Sequence, residues 1–188
     1  MNRENALKVL TEHTRSDSLI KHAVAVEAAM KAYAQKYGEE HEKWGIAGLL
    51  HDFDYEIYPQ MDRHAFEGYR ILKERGFPEE IAHAILAHSD FTGAKRETLM
   101  EKTLYAVDEL AGFIIAVALV RPSKSLAEVD APAVRRKMKD KAFARAVNRD
   151  EIVRGAQELG IDLDQHIAFV IQALQRIAPD LGLAGKID

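Results

Sequence analysis

Cysteine is absent from the 188 residues, which removes disulfides, thiolate zinc sites, iron–sulfur clusters and cysteine nucleophiles together. An excess of positive charge is lacking too. Lys and Arg number 26 against 30 Asp and Glu, a formal net charge of −4. That excludes general binding of nucleic acid by counterion release and confines any polyanion site to a local patch. Long hydrophobic runs are also missing: the longest, Leu110 to Val120, has 11 residues, where a membrane-spanning helix needs about 20. It reads as a buried central helix. The N-terminal MNRENALKVLTEH alternates charged and apolar residues and has neither the apolar core nor the small-residue cleavage site of a secretory signal. No membrane association or lipidation is expected, and a cytoplasmic location is.

What remains is 47% hydrophobic and 30% charged residues, enough to bury a core in one domain with an appendage. Apolar residues recur at spacings of three and four, and no stretch keeps a two-residue alternation, so the chain is expected to be all-α. The pattern predicts helices at about 4–13, 18–37, 41–52, 62–76, 78–89, 97–120, 131–147, 149–159 and 163–178. Gly38, Gly76, Pro78, Pro122 and Gly160 punctuate them; Asp17 or Ser18 is a candidate cap for the second helix and Asp162 for the last. From Arg121 to Arg145 eight basic residues face three acidic ones. A run of this kind is most often a solvated face. Arg121 and Lys124, following directly on the apolar helix, are the better candidates for contacting a phosphate.

With no thiolates, any metal must be held by imidazole and carboxylate, and there are eight histidines. Helical phase divides them. His22 shares a stripe with Leu19, Val26 and Ala29, and His51 follows Trp44, Ala47 and Gly48. His64 leads Gly68, Ile71 and Leu72, and His88 follows Ile81, Ala84 and Ile85. All four look inward, whereas His13, His41, His83 and His166 look structural or solvent-facing. Asp52, beside His51, and Asp108, on the face of Leu104, Ala111 and Ile115, join the inward set. Any one of these histidines taken alone is more often a core residue bonded to a carbonyl than a ligand. Four histidines and two aspartates facing inward, with no basic residue on their stripes as counter-charge, point to a shared cation.

An isolated His, a His-Asp doublet, two further His and a distal Asp occur in that order within GLLHDFDYE (48–56), HAFEGYRIL (64–72), AILAHSD (84–90) and LYAVDELAGF (104–113). In this the chain resembles the HD-domain superfamily of metal-dependent phosphohydrolases, over roughly residues 18–120. The likeness is greatest to the two-metal, HDIG-like branch that includes HD-type dinucleoside-polyphosphate hydrolases. The GYP element of the cyclic-di-GMP branch is missing. Many relatives carry Lys, Arg or Glu three residues after the doublet, where this chain has Tyr55 flanked by Asp54 and Glu56.

The resemblance implies an all-helical HD-domain bundle, with 1–121 as the metal-binding core and 122–188 as a helical extension packed on it. It implies one or two divalent transition metals (Fe, Mn, Co, Ni or Zn). His22, His51, Asp52 and Asp108 would hold the first, and His64 and His88 the second with Asp52 bridging. Asp52 and Asp54 would be the catalytic carboxylates, Asp54 relaying a proton, and Arg121 and Lys124 would bind substrate. The expected reaction is hydrolysis of a phosphate ester or anhydride of a small phosphorylated metabolite or nucleotide by a metal-activated water. A di-iron oxygenase of the same fold and a non-catalytic nucleotide-binding regulatory module are the alternatives. Stable nucleic-acid and membrane partners are not expected, and the helical appendage leaves room for a homodimer.

Overall fold

The computed structural model describes residues 2–185, and among them no strand forms. The chain divides into two compact units, one up to Tyr105 and one from Ala106 onward, so this division falls inside a helix.

The first unit contains α1 (Arg3–His13), α2 (Asp17–Tyr37), α3 (His41–Leu50), α4 (Phe66–Glu74), α5 (Glu79–Ala87) and the beginning of α6 (Leu99–Leu119). Its core holds Val26, Met30, Tyr33, Trp44, Leu49, Leu50, Phe53, Leu72, Ile85 and Leu104, all essentially inaccessible. The crossing of α2 and α3 is unusually close. A Cβ at Gly48 would lie 2.9 Å from the Val26 carbonyl oxygen and 3.0 Å from the Glu27 Cα, so only a residue without a side chain lets the backbones approach this far. Beside this crossing the buried Glu27 carboxylate takes the Arg3 guanidinium at 2.6 and 2.9 Å and the Lys31 ammonium at 2.6 Å, matching a charge that could not otherwise stay buried.

Two helices begin later or end earlier than the periodicity predicts. The pattern at 62–76 is helical only from Phe66, and that at 41–52 stops at Leu50; the residues released form turns that carry polar side chains inward. The N-terminus of α2 is tied down from a distance. Its N-cap, Ser16, makes no side-chain cap bond, and Glu56 instead accepts from the Arg15 and Ser16 amides at 2.9 and 3.0 Å. At the start of α6 the sequence Thr98-x-x-Glu101 forms a capping box, with the Glu101 amide donating to Thr98 Oγ1 at 3.3 Å and the Thr98 amide donating to Glu101 at 2.7 Å. Glu101 also accepts from the Glu97 amide and pairs with His83 at 2.6 Å.

The second unit contains the remainder of α6, α7 (Ala131–Met138), α8 (Arg149–Glu158), α9 (Leu163–Gln175) and the short α10 (Ala178–Leu181). Phe113, Ile114, Val117, Val134, Ile152, Ile167, Val170 and Leu174 form its core. His166 is fully buried and its Nε2–H donates to the Ala106 carbonyl at 2.8 Å, fastening α9 to α6. Asp162 caps α9 through the Gln165 amide. The predicted helix 131–147 ends at Met138, because the Asp140 carboxylate accepts from the Ala142 and Phe143 amides and sets a turn that competes with the helix. Arg149 then gathers the carbonyls of Asp140, Phe143, Ala144 and Val147.

Two measurements test this account. Gly48→Ala is expected to destabilise the protein by about 1–3 kcal/mol, since the added methyl meets the Val26 and Glu27 backbone as well as the Met30 side chain; urea unfolding unchanged from wild type would contradict the close crossing. Burial raises the Glu101 carboxyl, but the Thr98 and Glu97 amides and His83 outweigh it and hold the group below its ordinary range. A carboxyl depressed in the folded state stabilises fully above its unfolded pKa and loses that contribution as pH falls through the folded value. Glu101→Gln should therefore cost about 1–3 kcal/mol at neutral pH, and the gap to wild type should close as the pH falls through the depressed carboxyl's folded pKa.

Candidate metal centre

The candidate centre lies in the first unit and is built from ends and turns of helices. His22 sits one turn before Val26 on α2, and His51 and Asp52 follow the last turn of α3. The close approach at Gly48 therefore brings His22 and His51 together edge-on, with their Nε2 atoms 3.2 Å apart. His88 is the C-cap of α5, and His64 stands in the turn just before α4.

Three of the rings are oriented through Nδ1. His51 bonds the Gly48 carbonyl at 2.8 Å, His88 the Ile85 carbonyl at 2.5 Å, and His64 the Asp54 carboxylate at 3.0 Å. A carbonyl oxygen only accepts, so Nδ1 of His51 and His88 carries the proton and the Nε2 lone pairs point into the centre. Ligand histidines in metal sites are oriented in this way.

All of them converge on Asp52, whose two oxygens face different partners. Oδ2 lies 3.4 Å from His51 Nε2 and 4.0 Å from His22 Nε2, while Oδ1 lies 3.2 Å from both His64 Nε2 and His88 Nε2. The donor atoms of His22, His51 and Asp52 lie within 4.8 Å of one another, as do those of Asp52, His64 and His88. Two ligands bound to one cation at about 2.0–2.2 Å stand about 3–3.5 Å apart. The residues therefore fit two cation sites sharing a carboxylate.

The electrostatics point the same way. The Asp52 carboxylate needs positive charge beside it, which protons on the imidazoles supply in the absence of a metal and a bound cation would supply in their place. Burial raises the Asp52 carboxyl, yet the His51, His64 and His88 rings outweigh it and hold the group well below the usual range. Burial lowers His64, and the Asp52 and Asp54 carboxylates overcome this and push it up to about 9.

Asp54, expected as a proton relay, is fully enclosed. One oxygen orients His64; the other accepts from the Ala65 and Gly68 amides at 3.0 and 2.8 Å. Ala65 is the N-cap of α4 and has φ 64°, a conformation unfavourable for a residue with a Cβ. Asp54 thus caps α4 from outside that helix and satisfies amides that Ala65 cannot. Gly68 permits the approach, since a Cβ there would lie 3.0 Å from the Asp54 carboxyl carbon. Glu56 is committed to the α2 terminus. Between them Tyr55 is 42% exposed and sets its ring against His64, with centroids 5.1 Å apart.

The remaining expected residues lie in the second unit. Asp108 is half-buried on α6, one turn beyond Leu104. Arg121 lines a cleft just past the end of α6. Lys124 is exposed with φ 50° and does not line that cleft. Of the other histidines, His41 is exposed, His13 bonds the Val9 carbonyl at 2.9 Å, and His83 and His166 have the structural partners described above.

Comparison with known proteins gives three findings. The family model described as the HD domain matches residues 19–112, half of the chain. Ribonuclease Y of Lawsonia intracellularis is 32% identical over 107 residues, covering 56% of this chain and 20% of that protein. Ribonuclease Y of Nitratidesulfovibrio vulgaris is 31% identical over 98 residues, covering 52% and 18%. The chain thus spans about a fifth of the length of these curated relatives. Among solved structures, the HD domain of the L. monocytogenes phosphodiesterase PgpH superposes with a TM-score of 0.58 at 15% identity, over 94% of this chain and 98% of that one. This last likeness is one of fold.

Asp54→Ala is expected to release the His64 ring and uncap α4. Loss of such an orienting partner lowers metal affinity about 10–100-fold, measurable by titrating the protein with Mn²⁺ or Zn²⁺. Affinity equal to wild type would show that His64 does not depend on Asp54.

Proposed function

The chain belongs to the HD domain family, and from that premise we propose that it is a metal-dependent phosphohydrolase that cleaves a phosphate ester or anhydride of a small phosphorylated molecule by attack of water. The observation that carries this reading is the division of the Asp52 oxygens between His22 with His51 and His64 with His88. When bound, divalent cations supply Lewis acidity toward phosphoryl oxygens and lower the pKa of water enough to make a nucleophile near neutral pH.

In this reading His22, His51 and Asp52 would hold one cation, and His64 and His88 with Asp52 shared would hold the other. Asp108 is assigned as a further ligand from its place in the sequence pattern, on the α6 face that also carries Leu104 and Ala111. Imidazole and carboxylate donors suit Fe, Mn, Co, Ni or Zn. The carbonyls of Gly48 and Ile85 keep His51 and His88 aimed inward at no reorganisation cost. Asp54 is a positioning residue for His64 and for the start of α4. Tyr55, exposed beside His64, is placed to contact the bound substrate. The ribonuclease Y likeness adds an RNA phosphodiester to the substrates worth testing, while the net charge of −4 favours smaller molecules.

Protein purified without chelator and supplied with Mn²⁺, Co²⁺ or Fe²⁺ should release phosphate or nucleotide from at least one member of a panel of phosphomonoesters, dinucleoside polyphosphates, cyclic dinucleotides and short RNA. Asp52→Ala should lose most bound metal by elemental analysis and about 1,000-fold in rate, equivalent to about 4 kcal/mol of transition-state stabilisation. No release across the panel from metal-loaded protein, or an Asp52→Ala variant that keeps both metal and activity, would refute the proposal.

A further inference from the structure

The second unit carries a cleft of about 440 Å³ between the C-terminal end of α6 and α7. Val117, Val120 and Arg121 reach it from α6 and the residues just past its end, while Ala133, Arg136 and Lys137 reach it from α7. Ala133, Arg136 and Lys137 stand at i, i+3 and i+4 and share one face of α7, while Val120 and Arg121 continue from Val117 just past the last residue of α6. The walls are therefore of two kinds, with an apolar part from Val117, Val120 and Ala133 and a cationic part from two guanidiniums and one ammonium.

Three cations meet one carboxylate here, and that carboxylate is already engaged. Asp140 accepts from the Ala142 and Phe143 amides at 3.0 and 3.3 Å. Lys137 lies over the Phe143 ring, 4.7 Å from its centroid. Among the described residues neither Arg121 nor Arg136 has an acidic partner. Arg135 shows the contrast, because it faces away from the cleft and pairs with Asp164 at 3.1 Å. Placement near helix C-termini accounts for basic residues on these helices, but it does not account for their meeting on a cleft with apolar walls, nor for Val120 remaining 57% exposed at its edge.

We propose that this cleft is a binding site for a phosphate-bearing small molecule of nucleotide size that does not require the residues of the metal centre. Paired guanidiniums match phosphate oxygens bidentately, the apolar wall takes the face of a base or similar body, and the volume is that of a small-ligand pocket, about 300–1,000 Å³. The inference does not rest on the hydrolase reading.

The test is isothermal titration calorimetry on the full chain with ADP, AMP, inorganic phosphate and adenosine, using wild type, Asp52→Asn, Arg121→Ala and Arg136→Ala. ADP is expected to bind wild type and Asp52→Asn with equal Kd, to weaken about tenfold in each arginine variant, and to weaken with added salt. Adenosine should not bind. Arg136 is solvent-exposed, so Arg136→Gln, checked for an unchanged melting temperature, guards against a folding defect in the alanine variants. No binding by ADP, AMP or phosphate, an unchanged Kd in both arginine variants, or loss of ADP binding in a folded Asp52→Asn would overturn the proposal. Metal content and phosphate release, read on the same samples, report separately on the metal centre.

Discussion

Asp52 stands between two pairs of imidazoles whose Nε2 atoms face it, and a half-buried anion in that position has to be matched by positive charge. Much of the first unit arranges this encounter. The glycine at 48 lets α2 and α3 close until His22 and His51 are 3.2 Å apart. α5 ends at His88, with its ring hung from its own last turn. Moving any one helix end by an ångström would separate donors that now share an oxygen.

Asp54, two residues further along, is the second pivot. It gives up solvent entirely, and three donors on the turn and first residues of α4 replace water. Those bonds offset the strain of Ala65 at positive φ, a cost of about 1–3 kcal/mol for such conformations. The same carboxylate thereby fixes where α4 begins and which way His64 looks. Charge is used differently in the second unit. Arg149 binds carbonyls to hold a non-helical segment, and the basic face of α7 is left to a cleft.

The all-α class and the positions of the longer helices were legible because their apolar spacing is regular. The inward phase of His22, His51, His64 and His88 was legible for the same reason. The start of α4 was not, since Phe66 to Glu74 continues the periodicity of the residues before it and only Asp54, ten residues upstream of His64, interrupts the helix there. The contacts of Asp54 were hidden likewise, because its three donors lie ten or more residues further along the chain. The end of α7 carried a readable signal in Asp140, whose side chain competes for the next amides. The Thr98-x-x-Glu101 box was another signal present in the sequence and visible without the fold.

By itself the sequence determined the helical class, the exclusion of thiolate chemistry and the set of residues able to hold a cation, because these follow from composition and from a period of 3.6 residues. Only the tertiary structure decided that the two oxygens of Asp52 face different histidine pairs, that Asp54 bonds His64 and the amides of Ala65 and Gly68, and that Arg121 and Arg136 line one cleft while Lys124 does not. Those outcomes depend on distances between residues far apart in the chain, set by how closely backbones pack and where turns place amides, and no local pattern encodes them.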